Sequence, residues 1–384
     1  MKVYNETWLR NRAIQAKANY WQKKGLLTNE QLTAVKTHFP DEFYNPNIWI
    51  KIGLFIFTCL GCSFALGLTS VFFMAIFDDV LGSGLLSFVY AGLFYAFLTF
   101  IATGRKLYHS GVDNALLYGA VGWFTTGMFL VLSKITNDEV WLYGLLLLPV
   151  LIFAVIRHAD WLITVGAYIC FFFVISALCF KFPVGKLILP FVFMMFSGVI
   201  YFVKKRFFEH DKLFYWADCL SIIEILALIT FYLGGNYGIV REGNAAITGT
   251  SGQIAFAPLF YAFTVLIPAA YLYFGIRQKN RILIVLGLLA TVASVITFKL
   301  YFSIAPPEIT LTIAGIVLIG IAWGCIRYLR PPKHGYTYEQ DKEADNLNVE
   351  ATIIAQTLGK TAQPQSGLQY GEGSFGGGGA GDKY

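Results

Sequence analysis

The sequence predicts an all-α fold, a polytopic membrane bundle of about ten transmembrane helices with both termini cytosolic. Three observations lead there. Apolar residues dominate: 57% of the 384 residues are hydrophobic, 17% aromatic and only 14% charged, where a soluble domain carries about a quarter charged residues. They gather in segments near the roughly 20 residues needed to cross a hydrocarbon core. The basic residues between those segments alternate in density, as the positive-inside rule requires.

Residues 1–47 are expected to form a cytosolic helical hairpin. Residues 6–24 have helical spacing, with Leu9, Ala13, Ala16 and Tyr20 on one stripe and Gly25 to end it. Thr28 opens a capping box in which Gln31 reaches back to the cap. A second short helix then runs to Phe39, before Pro40. The segment is polar, with Arg10, Arg12, Lys17, Lys23 and Lys24 and no apolar run near Met1. No cleavable signal peptide is therefore expected, and the first span directs insertion.

The membrane domain is placed at 48–330, with spans at 52–76, 81–101, 115–133, 140–156, 161–180, 187–203, 215–233, 258–275, 282–298 and 309–328. On one side the loops hold Arg105, Lys106, Arg157, Lys204, Lys205, Arg206, Lys212, Arg277, Lys279 and Arg281. On the other they hold only Lys134, Lys181, Lys186, Arg241 and Lys299. The basic side is read as the cytosol. The outer segment 234–257, rich in Gly, Asn and Thr, is expected to be a flexible surface loop, with a small hairpin or re-entrant cap as the alternative. Pro149 and Pro268 fall inside spans and predict kinks.

Small residues suggest close helix contacts: Gly320 with Gly324 in the last span, and Gly61 with Ala65 in the first. The six cysteines all fall in predicted spans, so no disulfide framework is expected. Cys59 and Cys62 form a CxxC with no His or carboxylate beside it, and read as packing residues.

One residue breaks the apolar rule. Glu224 is placed near the middle of the seventh span, where a charge costs about 2.5–3.5 kcal/mol on insertion scales. Asp218 and Ser221 share its side of the helix within a roughly 120° arc, a stripe predicted to face the bundle interior. Two readings stand. Glu224 is a proton or cation site, or a neutral carboxyl bonded to a neighbouring hydroxyl such as Thr125, Thr126, Tyr168, Thr264 or Thr291. No base lies deep in a span, so no ion-pair partner is expected.

The formal charge of +6 sits in short loops and forms no stripe, which argues against nucleic-acid binding. No GxSxG, HExxH, P-loop or Rossmann fingerprint is recognised, intramembrane-protease signatures such as paired membrane aspartates, GxSG or a zinc motif are not expected, and neither is a cofactor or metal site. The histidines His38, His109, His158, His210 and His334 scatter at or beyond span boundaries.

The segment WQKKGLLTNEQLTAVKTHF resembles the opening of a bacterial family of polytopic membrane proteins of unknown function. Those begin with a W-x3-G-L-[ST]-x-E-Q helical hairpin. The positions carrying the likeness are Trp21, Gly25, Leu26, Leu27, Thr28, Glu30 and Gln31. The resemblance implies a multi-pass protein of a bacterial cytoplasmic membrane and supplies no activity. In the C-terminal segment 331–384, Leu347, Ala351, Ile354 and Leu358 share a helical face. The Gly-rich end, with Phe375, Gly376, Gly377, Gly378, Gly379 and Tyr384, resembles the tails of bacterial TPM-domain membrane proteins, with Lys383 where a small residue is usual.

The leading functional expectation is a non-enzymatic inner-membrane scaffold, embedded in the lipid bilayer, that recruits a cytosolic protein through 1–47 or 331–384. The alternative is a proton-coupled secondary transporter using Glu224.

Overall fold

The structure, a computed structural model, describes residues 3–44, 46–72, 79–104, 106–136, 139–207, 211–249 and 252–302, with scattered positions from 312 to 330. Two short helices, α1 (Glu6–Lys23) and α2 (Asn29–His38), precede α3 (Ile48–Phe72), α4 (Val80–Gly104), α5 (Val112–Ile135) and α6 (Val140–His158). Next come α7 (Trp161–Cys179), α8 (Gly185–Phe207), a 3-10 turn (Asp211–Trp216), α9 (Ala217–Gly235), α10 (Tyr237–Thr248), α11 (Ala257–Gln278) and α12 (Arg281–Phe302). Among the described residues nine helices, α3 to α9 with α11 and α12, are long and apolar enough to cross a membrane. They fall on the first nine expected spans. The tenth is represented by isolated helical positions, including Gly320, Trp323 and Gly324, and lies otherwise outside the described residues. So do the tail and its residues Phe375, Gly376, Gly377, Gly378, Gly379 and Tyr384.

Local rules account for the N-terminal unit. Asn5 accepts from the backbone of Thr7 and Trp8 to start α1. Gly25, at φ +74°, takes the left-handed turn between the helices. The capping box of Thr28 and Gln31 then forms as expected. Asn11 and Gln15 donate to the carbonyls of Pro40 and Phe39 at 2.8 and 2.6 Å, tying α1 to the end of α2.

The membrane helices pair consecutively: α4 with α5, α6 with α7, α8 with α9, and α11 with α12. Two cores result. One joins Leu98, Leu116, Leu117, Leu151, Ile163 and Cys170 from α4 to α7. The other joins Leu228, Tyr232, Ile267, Tyr271, Leu283 and Ala290 from α9, α11 and α12. α9 links them, packing on α7, α8, α11 and α12. The outward faces stay apolar; Phe57, Phe64 and Phe72 on α3 are more than 70% exposed, a surface suited to lipid and costly in water.

Pro268 shows how a membrane helix accommodates proline. Its missing N–H frees the carbonyl of Thr264, which accepts the Ser294 hydroxyl of α12 at 2.6 Å. Around this contact Tyr232 bonds the Ala290 carbonyl and the Ser294 hydroxyl, and Asn236 donates to the Tyr232 hydroxyl and accepts from Thr297. The network fastens α9 to α11 and α12.

Two expectations are modified. Segment 234–257 is not simply a loop: Tyr237–Thr248 is an amphipathic helix, with Tyr237 and Gly238 buried. Gly61 and Ala65 lie on the exposed side of α3, and a Cβ at Gly61, Gly320 or Gly324 meets no described atom.

Candidate functional site

Glu224 lies eight residues into α9 and is buried, but the expectation that it has no basic partner is wrong. The Lys204 ammonium lies 2.5 Å from its Oε2. Asn280 donates to its Oε1 at 3.0 Å. Lys204 belongs to the last turn of α8, where the helix dipole favours a cation. Asn280 caps α12, its Oδ1 accepting from the backbone of Ile282 and Leu283, so its amide N–H is turned toward Glu224. Glu224 therefore stands level with the end of α8 and the tip of the α11–α12 hairpin. The proposed hydroxyl partners do not reach it. Nor does the stripe face inward as a unit, because Asp218 and Ser221 are exposed and Ser221 bonds back to the Ala217 carbonyl. An arc of roughly 120° is wide enough to carry its two ends onto different faces.

A second polar cluster gathers where α5, α6, α7 and α9 meet the N-terminal unit. Asp113, in the first turn of α5, is 1% exposed. It accepts from the Tyr4 hydroxyl at 3.0 Å, the backbone of His109 and Ser110 at 2.8 Å each, and the Ser110 hydroxyl at 3.0 Å. Asp160 is equally buried. It caps α7 through Leu162 and Ile163 and accepts from Asn114 and Tyr118 of α5. Ala159, before it, turns the chain in the left-handed region at φ 49°. Each carboxylate is thus solvated by protein donors, the condition for burying one.

This cluster holds the N-terminus on the bundle. Tyr4 packs among Phe43, Tyr108 and Tyr215. The Val3 backbone N–H and the Tyr215 hydroxyl both donate to the Arg157 carbonyl. Arg12 lies over the Tyr108 ring, and Lys106 both covers Trp8 and pairs with Glu42. Burial, reinforced by Asp113, holds the Tyr4 hydroxyl well above its ordinary value of 10.0. Burial, then Asp218, pushes Tyr108 up to about 12. Beside the cluster a cleft of about 490 Å³ is lined by Lys51, Tyr108, His109, Asn114, Tyr118 and Asp218, among others.

Sequence reasoning left Asp113, His158 and Asp160 just outside the expected spans and assigned none of them a role. A signal existed: Asp160 follows a basic helix end and precedes an apolar run, as an N-cap does. His158 sits at the expected boundary, yet it is 1% exposed and neither ring nitrogen bonds a described residue. The expectation that a GxSG string is absent is wrong, because Gly249 to Gly252 reads G-T-S-G. Thr250 and Ser251 lie outside the described residues, and the described histidines stand at the opposite, hairpin-bearing end. No group of three or more His, Cys, Asp or Glu able to hold a metal occurs among the described residues.

No family model, curated protein or solved structure matches the chain.

Proposed function

We propose that this multi-pass membrane protein is a non-enzymatic platform of a bacterial cytoplasmic membrane that displays its N-terminal hairpin to a cytosolic protein. The observation carrying this reading is the asymmetry of the hairpin. One end is pinned to the bundle by Tyr4, Val3 and Tyr215. The other exposes apolar side chains, with Trp21 46% and Leu26 71% exposed, and α2 buries none of its residues. A rigid base with an apolar free tip suits recruitment, since a pre-ordered surface loses little entropy on binding. The resemblance of Trp21–Gln31 to the bacterial hairpin family supports the same reading, as do the loop charges, read as marking this side as cytosolic.

Proton-coupled transport is the competing reading. Its carboxylate is engaged by Lys204 and Asn280, which supports a structural role for Glu224. The test is in-cell photo-crosslinking from position 26. A discrete adduct is expected, lost on Trp21→Ser and retained when residues 359–384 are deleted. Absence of any adduct, with proton flux in proteoliposomes that Glu224→Gln abolishes, would replace this reading with the transporter.

A further inference from the structure

α8 and α11 both lean on α9 and diverge from each other, leaving a groove on the side of the bundle. Its volume is about 930 Å³, at the upper end of the roughly 300–1,000 Å³ of small-ligand pockets. Ala227 and Phe231 of α9 form the floor, Gly198 and Phe202 of α8 one wall, and Tyr271 and Phe274 of α11 the other. At the end nearest the N-terminal hairpin the lining changes to Lys205, Arg206 and Gln278.

The charge at that end is selective. Lys204, in the same run, is neutralised by Glu224. Lys205 donates to the Gln278 Oε1 at 2.6 Å and stands over the Tyr201 ring, contacts that orient the ammonium without cancelling its charge. Among the described residues no carboxylate pairs with Lys205 or Arg206. The groove therefore offers a long apolar slot ending in two cations and an amide that can donate. That chemistry is complementary to a hydrocarbon chain ending in a phosphate. Basic pockets between membrane helices recognise anionic headgroups in this way.

We propose that this groove is a binding site for an anionic phospholipid of the adjoining leaflet. Its acyl chain lies between α8 and α11, and its phosphate meets Lys205, Arg206 and the Gln278 amide. The inference does not depend on the recruiting role.

The test is native mass spectrometry of the full chain in mild detergent, titrated with phosphatidylglycerol or phosphatidylcholine of identical acyl chains. Wild type is expected to retain phosphatidylglycerol preferentially. Lys205→Gln and Arg206→Gln should each lower that preference about fivefold, the effect of about 1 kcal/mol per basic residue. Gly198→Leu places its side chain in the groove, where a Cβ meets only the Phe231 ring at 3.6 Å. It should weaken retention of both lipids. Lys186→Gln, at the far end of α8, should change nothing. Equal retention of the two lipids by wild type overturns the proposal, and so does an unchanged preference in both charge variants. Full phosphatidylglycerol retention by Gly198→Leu overturns it too, because surface charge would then suffice without the groove.

Discussion

Lys204, half-buried, pairs with the buried Glu224, their side chains 19% and 6% exposed. Removing one partner leaves the other charge desolvated, a loss of about 3 kcal/mol at such sites, whereas replacing both by apolar residues is often neutral. Glu224→Gln and Lys204→Met are each expected to lower the unfolding midpoint in detergent, and the double variant to recover most of the loss. Simple additivity in that cycle would show that the two do not interact. Tyr4→Phe takes one donor from a buried carboxylate, about 1–3 kcal/mol, and should speed amide exchange across α1. The Tyr4 shift has a sign that can be checked. Its folded-state value is raised, so its contribution is complete below about pH 10, the ordinary tyrosine value, and is lost as pH climbs through the higher folded value. Docking of α1 should therefore weaken at strongly alkaline pH, and Tyr4→Phe should remove that dependence.

At the scale of elements, helix ends matter more than helix middles. Gly111 starts α5 at φ +101°, and a Cβ there would stand 2.2 Å from the Lys51 carbonyl of α3. Gly111→Ala combines a strained backbone with a clash between main chains, and a loss of about 3 kcal/mol or more is expected. Thermal unfolding of the purified variant measures it; a change below about 0.5 kcal/mol would mean that α3 and α5 separate easily. The capping box was legible because its signal is local: Thr28 and Gln31 are three residues apart. The Pro268 adaptation was not, because the proton that satisfies the Thr264 carbonyl comes from Ser294, thirty residues away. The α10 helix was hidden by its composition, since Gly, Asn and Thr read as loop while its amphipathic face is stabilised by packing on α8, α9, α11 and α12.

For the whole molecule the loop charges make a directional statement. Single cysteines in a cysteine-free background should separate by side. Gln278→Cys is expected to react with a membrane-impermeant thiol reagent only in inverted vesicles, and Asn244→Cys only in intact spheroplasts. Labelling of both from one side would defeat the even-span topology. By itself the sequence determined the class of solvent and the number and order of nine of the described helices, because hydropathy over about 20 residues is set by composition alone. It also determined the N-terminal hairpin, whose caps act over three or four residues. Only the tertiary structure decided which polar groups meet. Glu224 appeared unpaired while Lys204 was counted as a loop residue; antiparallel packing of α8 on α9 sets the end of one helix against the second turn of the other. Asp113 and Asp160 were boundary residues in the sequence; the fold brings Tyr4 to Asp113 from more than a hundred positions away, and Asn114 and Tyr118 of α5 to Asp160. Periodicity describes one helix at a time, whereas the depth and company of a charge depend on how far each helix extends beside its neighbours.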